Sequence, residues 1–369
     1  MKTPNTSALP RRVRALTISG IVCVAAFFAI AAPPAFALKY AAVEHHLKVD
    51  PAIPAWKPGE VKSEPEEELA LVGADVMDEI CLGWAKLFRQ AYPHLSVTLD
   101  LRASGAGAPG LIAGTKAPNS VIAPVGREML PAEEKAFVDK FGYEPFRVKV
   151  ATGSLGSLGK TATSIIMVDK DNPIKGLSLA QLDAIYSTTR KRGDADIKTW
   201  GDLGLTGAWA SRPIIKWGLK SPNGIEWFFK IVVMEMGEYK NDIKFGKGRG
   251  FTHAFNVVAE EMAKEPGGIS YALLANTNSS PNVKVVPLSV KDGGPYLPPT
   301  LDTVYHHTYP LSRYVYIYVN RKPGDPLEPK VKEFLKLVLS QQGQEVVAKE
   351  GVYIPLLPEV VKEELAKLE

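Results

Sequence analysis

Short apolar runs ending in a glycine or a small polar turn, each followed at once by helical spacing, recur along this 369-residue chain. That alternation limits the fold more than any other feature. Leu69 to Val72 ends at Gly73, and Met77, Ile80, Cys81, Trp84, Leu87 and Phe88 then follow the 3.6-residue period of a buried helix face. Val97 to Leu101 alternates as a strand, and a helix start follows over Gly110 to Ala113. Val121 to Ala123 is another strand, and Pro131 to Glu134 opens another helix. This repetition predicts an α/β fold with a largely parallel sheet.

Arg147 to Ala151 and Ser164 to Val168 read as two more strands split by a glycine-rich stretch, and Asp171-Asn172-Pro173 breaks the chain. The pattern then starts again. Ser178 caps a helix over 179–186, Ile214 to Gly218 is a strand, and helices are expected over 225–236 and 255–263. Two more strands, 269–273 and 283–286, complete a second α/β set. Tyr314 to Val319 is a strong strand, followed by helices over 331–340 and 344–349. Those last helices need a sheet to pack on, so they are expected to rejoin the first set. The prediction is two lobes, 66–171 plus 300–369 and 172–299, joined by two crossings that make a hinge and a cleft. A length of this order exceeds one comfortable core.

The N-terminus reads as an export signal. Lys2, Arg11, Arg12 and Arg14 precede an apolar stretch over 15–32, and Ala35-Phe36-Ala37 fits the small-x-small cleavage rule. A membrane anchor is the rival reading; Pro33-Pro34 and the cleavage site favour removal of 1–37. The remaining 332 residues carry 40 basic and 40 acidic side chains. Such a balance leaves no electrostatic footprint for nucleic acid. Residues 38–65 are proline-rich without periodicity, an extended segment or linker. Cys81 is the one cysteine outside the signal, so an internal disulfide is impossible; its apolar neighbours predict burial.

Candidate chemistry gathers at strand-to-helix turns. Ser104-Gly105-Ala106-Gly107 follows a strand, where glycines admit a ligand and unpaired N–H groups suit an anion. Ser221-Pro222-Asn223-Gly224, beside Lys220, has the same form in the second lobe, so the two turns are expected to face each other across the cleft. Arg127 stands past a strand end, where it would clamp a carboxylate, sulfate or phosphate, or else pair with Glu128 or another acid. Gly153 to Thr161 imitates a nucleotide loop, but Ser154 occupies the position that needs glycine and a strand follows. A flexible insertion at the cleft mouth is expected there instead. His45-His46 and His306-His307 have no evident third ligand, so neither a metal nor another cofactor is predicted. No Gly-x-Ser-x-Gly elbow or His-Glu-x-x-His occurs, which argues against an enzyme. A hydrolase built on a Ser/His arrangement is the competing reading from that class.

Several segments, taken in order, carry a resemblance. They are Gly73 to Met77, Arg102 to Gly107, Arg127-Glu128-Met129, Val168 to Leu182, Thr199 to Gly204, Pro266 to Tyr271, Tyr309 to Arg313, Gly343-Gln344 and Gly351 to Leu356. Over about 68–358 the chain resembles the phosphate-type periplasmic solute-binding proteins of ABC transporters, of the type II periplasmic binding protein fold. The resemblance implies two hinged lobes closing on a small oxyanion, a monomer in the periplasm, and an ABC permease or membrane sensor as partner. It implies contacts from Asp75 and Val76, from Ser104, Gly105, Ala106 and Gly107, from Arg127, and from Lys220, Ser221, Asn223 and Gly224.

The ligand positions diverge from the family pattern. Pro124, Val125 and Gly126 replace its Ser and Asp before the arginine. Leu219, Asn223 and Ile225 stand where its second-lobe arginine, serine and threonine are usual, and Asp75 replaces a hydroxyl residue. Three or four lost donors would cost about 4–10 kcal/mol if nothing replaced them. The implied ligand is therefore a small oxyanion or organic anion. The alternative is an exported sensor or interaction protein that has lost phosphate binding.

Overall fold

The computed structural model describes residues 45–61, 68–114, 119–157, 159–245 and 251–369. The predicted signal, and with it the anchor alternative, lies outside these residues. Of the N-terminal segment 38–65, the stretch 45–61 is described.

The first set of elements is β1 (Glu68–Gly73), α1 (Asp78–Ala91), β2 (Ser96–Leu101), α2 (Gly107–Ala113), β3 (Val121–Pro124), α3 (Pro131–Phe141) and β4 (Phe146–Thr152). The second is β5 (Ser164–Asp169), β6 (Leu177–Ser178), α4 (Leu179–Tyr186), β7 (Ile215–Gly218), α5 (Gly224–Val232), β8 (Lys244–Phe245), α6 (Phe251–Met262), β9 (Gly268–Leu273), β10 (Val283–Val285), β11 (Leu288–Ser289) and α7 (Leu301–Tyr305). The chain returns through β12 (Tyr314–Val319), α8 (Pro329–Val338), α9 (Gln341–Glu350) and α10 (Pro358–Ala366).

Two five-stranded sheets result, ordered β2-β1-β3-β12-β4 and β10-β5-β9-β7-β8. In each, four strands point one way and one is reversed: β12 in the first, β5 in the second. The reversed strand is the one by which the chain enters that sheet after a crossing. Both sheets are thus mostly parallel, as the alternation predicts.

The first-lobe sheet is covered on both faces. One face packs Trp84, Phe88, Phe334 and Val347 from α1, α8 and α9; the other packs Leu111 and Phe137 from α2 and α3. The C-terminal helices therefore do rejoin the first lobe. Cys81 is fully buried in that core, and burial pushes its thiol well up, as expected of a packing residue. The segment 45–61 is no free linker. Ile53 is 1% exposed, and Trp56 donates to Glu333 while Gly59 N–H does the same.

One boundary moves. The lobe range 66–171 includes the residues of β5, yet β5 pairs with β9 and β10 in the second sheet. Tyr309 and Leu311 also pack in the second-lobe core, although 300–369 was assigned to the first lobe. β5 is apolar on both faces, and such a run does not encode which sheet it joins. The crossings lie side by side: Gly153 N–H donates to the Arg313 carbonyl at 2.8 Å, and Ser164 N–H to that of Leu311 at 3.3 Å.

Candidate functional site

The two lobes meet where β3 ends and α5 begins. Beyond Pro124 the chain turns through Gly126, whose φ of +74° is the left-handed conformation that glycine adopts without strain. That turn projects Arg127 toward the second lobe. A Cβ built on Gly224 would lie 2.6 Å from Arg127 Cδ, so glycine is what lets α5 begin against the arginine stem. Trp227 adds a second tie, its Nε1–H donating to the Met129 carbonyl at 2.9 Å.

Both terminal nitrogens of Arg127 are engaged from within. Nη1 donates to Glu133 Oε2 and Nη2 to Glu133 Oε1, both at 2.8 Å, a bidentate pair. Nη1 also reaches the Glu128 carbonyl at 2.9 Å. The internal acid of Arg127 is Glu133 rather than Glu128. Glu133 Oε2 also accepts from Leu130 N–H at the start of α3, which fixes the carboxylate. Gly105 joins this group, since a Cβ there would lie 3.6 Å from Glu133 Oε1.

Other predicted residues fall around this point unevenly. Ser104, Gly105 and Ala106 form one 3₁₀ turn, and Gly107 opens α2 close under β3, a Cβ there falling 2.7 Å from Val125 Cγ2. Arg102 and Ala103 N–H both donate to the Gly73 carbonyl at 2.9 Å, tying this turn to the end of β1. Val76 borders Gly126, whereas Asp75 is exposed and accepts from Val76 N–H through its own carboxylate. In the second lobe Lys220 and Ser221 are exposed, and the Ser221–Pro222 peptide is cis. Asn223 caps α5 by accepting from Ile225 N–H at 2.8 Å. Glu226, 4% exposed, bonds to Ser221, and burial raises its carboxyl above the usual range.

The divergent positions have structural reasons. The Pro124 carbonyl accepts from Ala74 N–H at 2.7 Å, which joins the β3 and β1 ends. Leu219 is 6% exposed in the second-lobe core, and its N–H donates to Tyr271 Oη. That position feeds the core, so no cation is missing from the seam on its account.

Sequence reasoning missed three groups. Glu133 carried only a helix-start signal. Arg313 lies inside the quoted segment Tyr309 to Arg313 but was given no role. It is 3% exposed, pairs with Glu128 at 2.8 Å, stacks 4.4 Å over Phe228 and reaches the Gly224 carbonyl at 3.4 Å. A cation from the second crossing therefore touches both lobes. Thr161 is the third. The described residues of the stretch 153–161, expected to be a flexible insertion, are instead pinned. Thr161 Oγ1 donates to the Gly126 carbonyl and its N–H to Tyr353 Oη, while Gly156 lies against Leu274 of the second lobe. Lys160 is held by Glu350 at 3.0 Å and Glu79 at 3.4 Å.

The histidine pairs do not converge. His45 binds the Tyr353 carbonyl, and His307 meets Thr152 Oγ1 at 2.8 Å and stacks 3.8 Å from Tyr314. Among the described residues no cluster of three or more His, Cys, Asp or Glu could hold a metal ion.

Comparison with known proteins now has a geometry to bear on. The PBP superfamily domain model matches residues 60–342. The chain belongs to the PBP superfamily. Within that superfamily it is a solute-binding protein of the phosphate type. It is 36% identical over 321 residues to the phosphate-binding protein PstS of Pseudomonas aeruginosa, covering 87% of this chain and 92% of that one. It is 28% identical to PstS of Staphylococcus haemolyticus, over 84% of this chain and 86% of that one. The crystal structure of PstS from Borrelia burgdorferi aligns with TM-score 0.49 at 16% identity, over 79% of this chain and 100% of that one.

Proposed function

We propose that this PBP-superfamily chain is an exported receptor that closes its two lobes on a small oxyanion or organic anion and presents it to an ABC permease. The observation that supports this most is Arg127 of the first lobe lying against Gly224 of the second, beside the Ser104–Gly107 turn. An arginine at a two-lobe seam offers paired N–H donors to an oxyanion, and lobe closure removes that contact from water. Asp75, Val76, Lys220, Ser221 and Asn223 complete the proposed contact set around it. Relatives named for phosphate binding make phosphate the first solute to test. The reading includes cleavage near Ala37, release into the periplasm, a monomer in solution and no catalytic step.

Isothermal titration of residues 38–369 against phosphate, sulfate and small carboxylic acids tests it. Saturable one-to-one binding of at least one of these anions is expected. Silence across the whole panel would remove the receptor reading.

A further inference from the structure

Residues 45–61 are held to the first lobe by two separate anchors. Between Pro54 and Gly59 the anchor is the face of α8 and α9. Gln341 N–H donates to the Pro54 carbonyl at 2.9 Å, Trp56 N–H to Gln342 at 2.8 Å, and Trp56 Nε1–H and Gly59 N–H both to Glu333. At the start of the segment the anchor is the turn after α9. His45 N–H donates to the Gly351 carbonyl at 2.8 Å, and its ring Nε2 lies 2.6 Å from the Tyr353 carbonyl. Leu47 N–H donates to Nδ1 at 3.3 Å, so Nδ1 is the bare nitrogen and Nε2 carries the proton. This pair of bonds requires a neutral ring, and burial lowers the His45 pKa in the same sense.

The turn that His45 holds reaches both ends of the first crossing, between β4 and β5. Thr152, where the crossing begins, exchanges both backbone bonds with Ile354, at 2.8 and 3.0 Å. Thr161, near its end, donates its N–H to Tyr353 Oη at 3.1 Å, and that hydroxyl donates onward to the Val76 carbonyl at 2.9 Å. Thr161 Oγ1 and Val76 both border Gly126. Lys160 is tied in beside them through Glu350, a carboxylate 3% exposed that also accepts from Tyr353 N–H.

We propose that the start of this segment is a brace on the lobe crossing: His45 is a positioning residue that fixes the 351–354 turn, and through that turn it sets how readily the crossing opens. Release of His45 leaves Tyr353 and Ile354 without their outer support, so both ends of the crossing loosen together. A purely structural role, one more tie adding to the stability of the first lobe, has a different consequence. Every amide of the lobe would then respond, and the Trp56 anchor would matter to the crossing as much as His45. The brace goes beyond the anion-receptor reading and is measured in solute-free protein, so either can fail without the other.

The test is native-state amide hydrogen exchange on solute-free residues 38–369, comparing wild type, His45→Leu and Trp56→Phe. Leucine removes the donor to the Tyr353 carbonyl. Phenylalanine cuts the Glu333 tie of the other anchor while keeping a ring against Phe88. His45→Leu is expected to exchange roughly fivefold faster at Thr152, Thr161 and Ile354, the scale of one neutral hydrogen bond. Leu71 and Ile317, in the first sheet, are expected to keep the wild-type rate. Trp56→Phe is expected to leave the crossing amides unchanged. Unchanged crossing amides in folded His45→Leu overturn the proposal, and so does a uniform rise across the lobe or an equal rise at the crossing in Trp56→Phe. Should circular dichroism show His45→Leu unfolded, exchange of wild type in low urea decides. Opening of the His45, Thr152 and Thr161 amides at one free energy and one urea slope supports the brace, and separate opening of His45 and the crossing overturns it.

Discussion

At the scale of single residues, the seam is built from close approaches with little slack. A Cβ on Gly73 would run into the Pro124 carbonyl oxygen, which already accepts from Ala74 N–H. Backbone cannot yield as a side-chain tip can, so Gly73→Ala is expected to lose about 1–3 kcal/mol of stability, read from the urea midpoint. The Arg313–Glu128 pair follows a different logic, because both side chains are buried. Glu128→Ala strands a buried guanidinium and should cost about 3–5 kcal/mol in urea unfolding. Replacing both partners by methionine removes the stranded charge, and should recover most of that loss. His307 gives a pH dependence. Burial first, and Lys149 second, lower its pKa from 6.5 to about 4. Between those values the unfolded chain binds the proton more readily, so stability rises with pH there. The contribution is full above pH 6.5 and is lost as pH falls toward about 4. His307→Gln should flatten a melting-temperature profile over that window.

At the scale of elements, the repeated strand–turn–helix unit explains both what could be read and what could not. Helix periodicity over Met77 to Phe88 and the Ser178 cap were legible because they depend on neighbours three or four residues away. The structure gives α1 and α4 there, Ser178 accepting from Gln181 N–H at 3.0 Å. The destination of β5 was not legible, because its apolar run Ile165 to Val168 fits the middle of either sheet. At the site, Arg127 and Gly224 were legible as a loop cation and a helix-start glycine. Glu133 and Arg313 were not, since their partners come from contacts that spacing does not encode. The glycine-rich stretch 153–161 misled in the same way. Its composition suggests mobility, but Thr161 is tied to Gly126 and Tyr353. Thr161→Val removes the Gly126 bond and should loosen this crossing. The measurement is amide hydrogen exchange, with faster exchange expected at Gly153 and Ser154 and little change in the sheet cores.

At the scale of the whole molecule, two sheets with one reversed strand each are joined by two adjacent crossings. Arg127 and Gly224, two of the proposed anion contacts, lie where the lobes touch. That arrangement places a small contact area, Arg127 against Gly224 and Trp227 against Met129, under the control of lobe position. A solute that favours the closed arrangement shifts the equilibrium by the difference in its affinity for the two states. The account's central claim is that this seam holds a small anion through Arg127. Native mass spectrometry of residues 38–369, freshly purified and then exposed to phosphate and small organic acids, tests it most directly. The account predicts a solute-sized added mass on wild type that is lost in Arg127→Met. A bare chain under every condition, or an added mass that Arg127→Met retains, would contradict it.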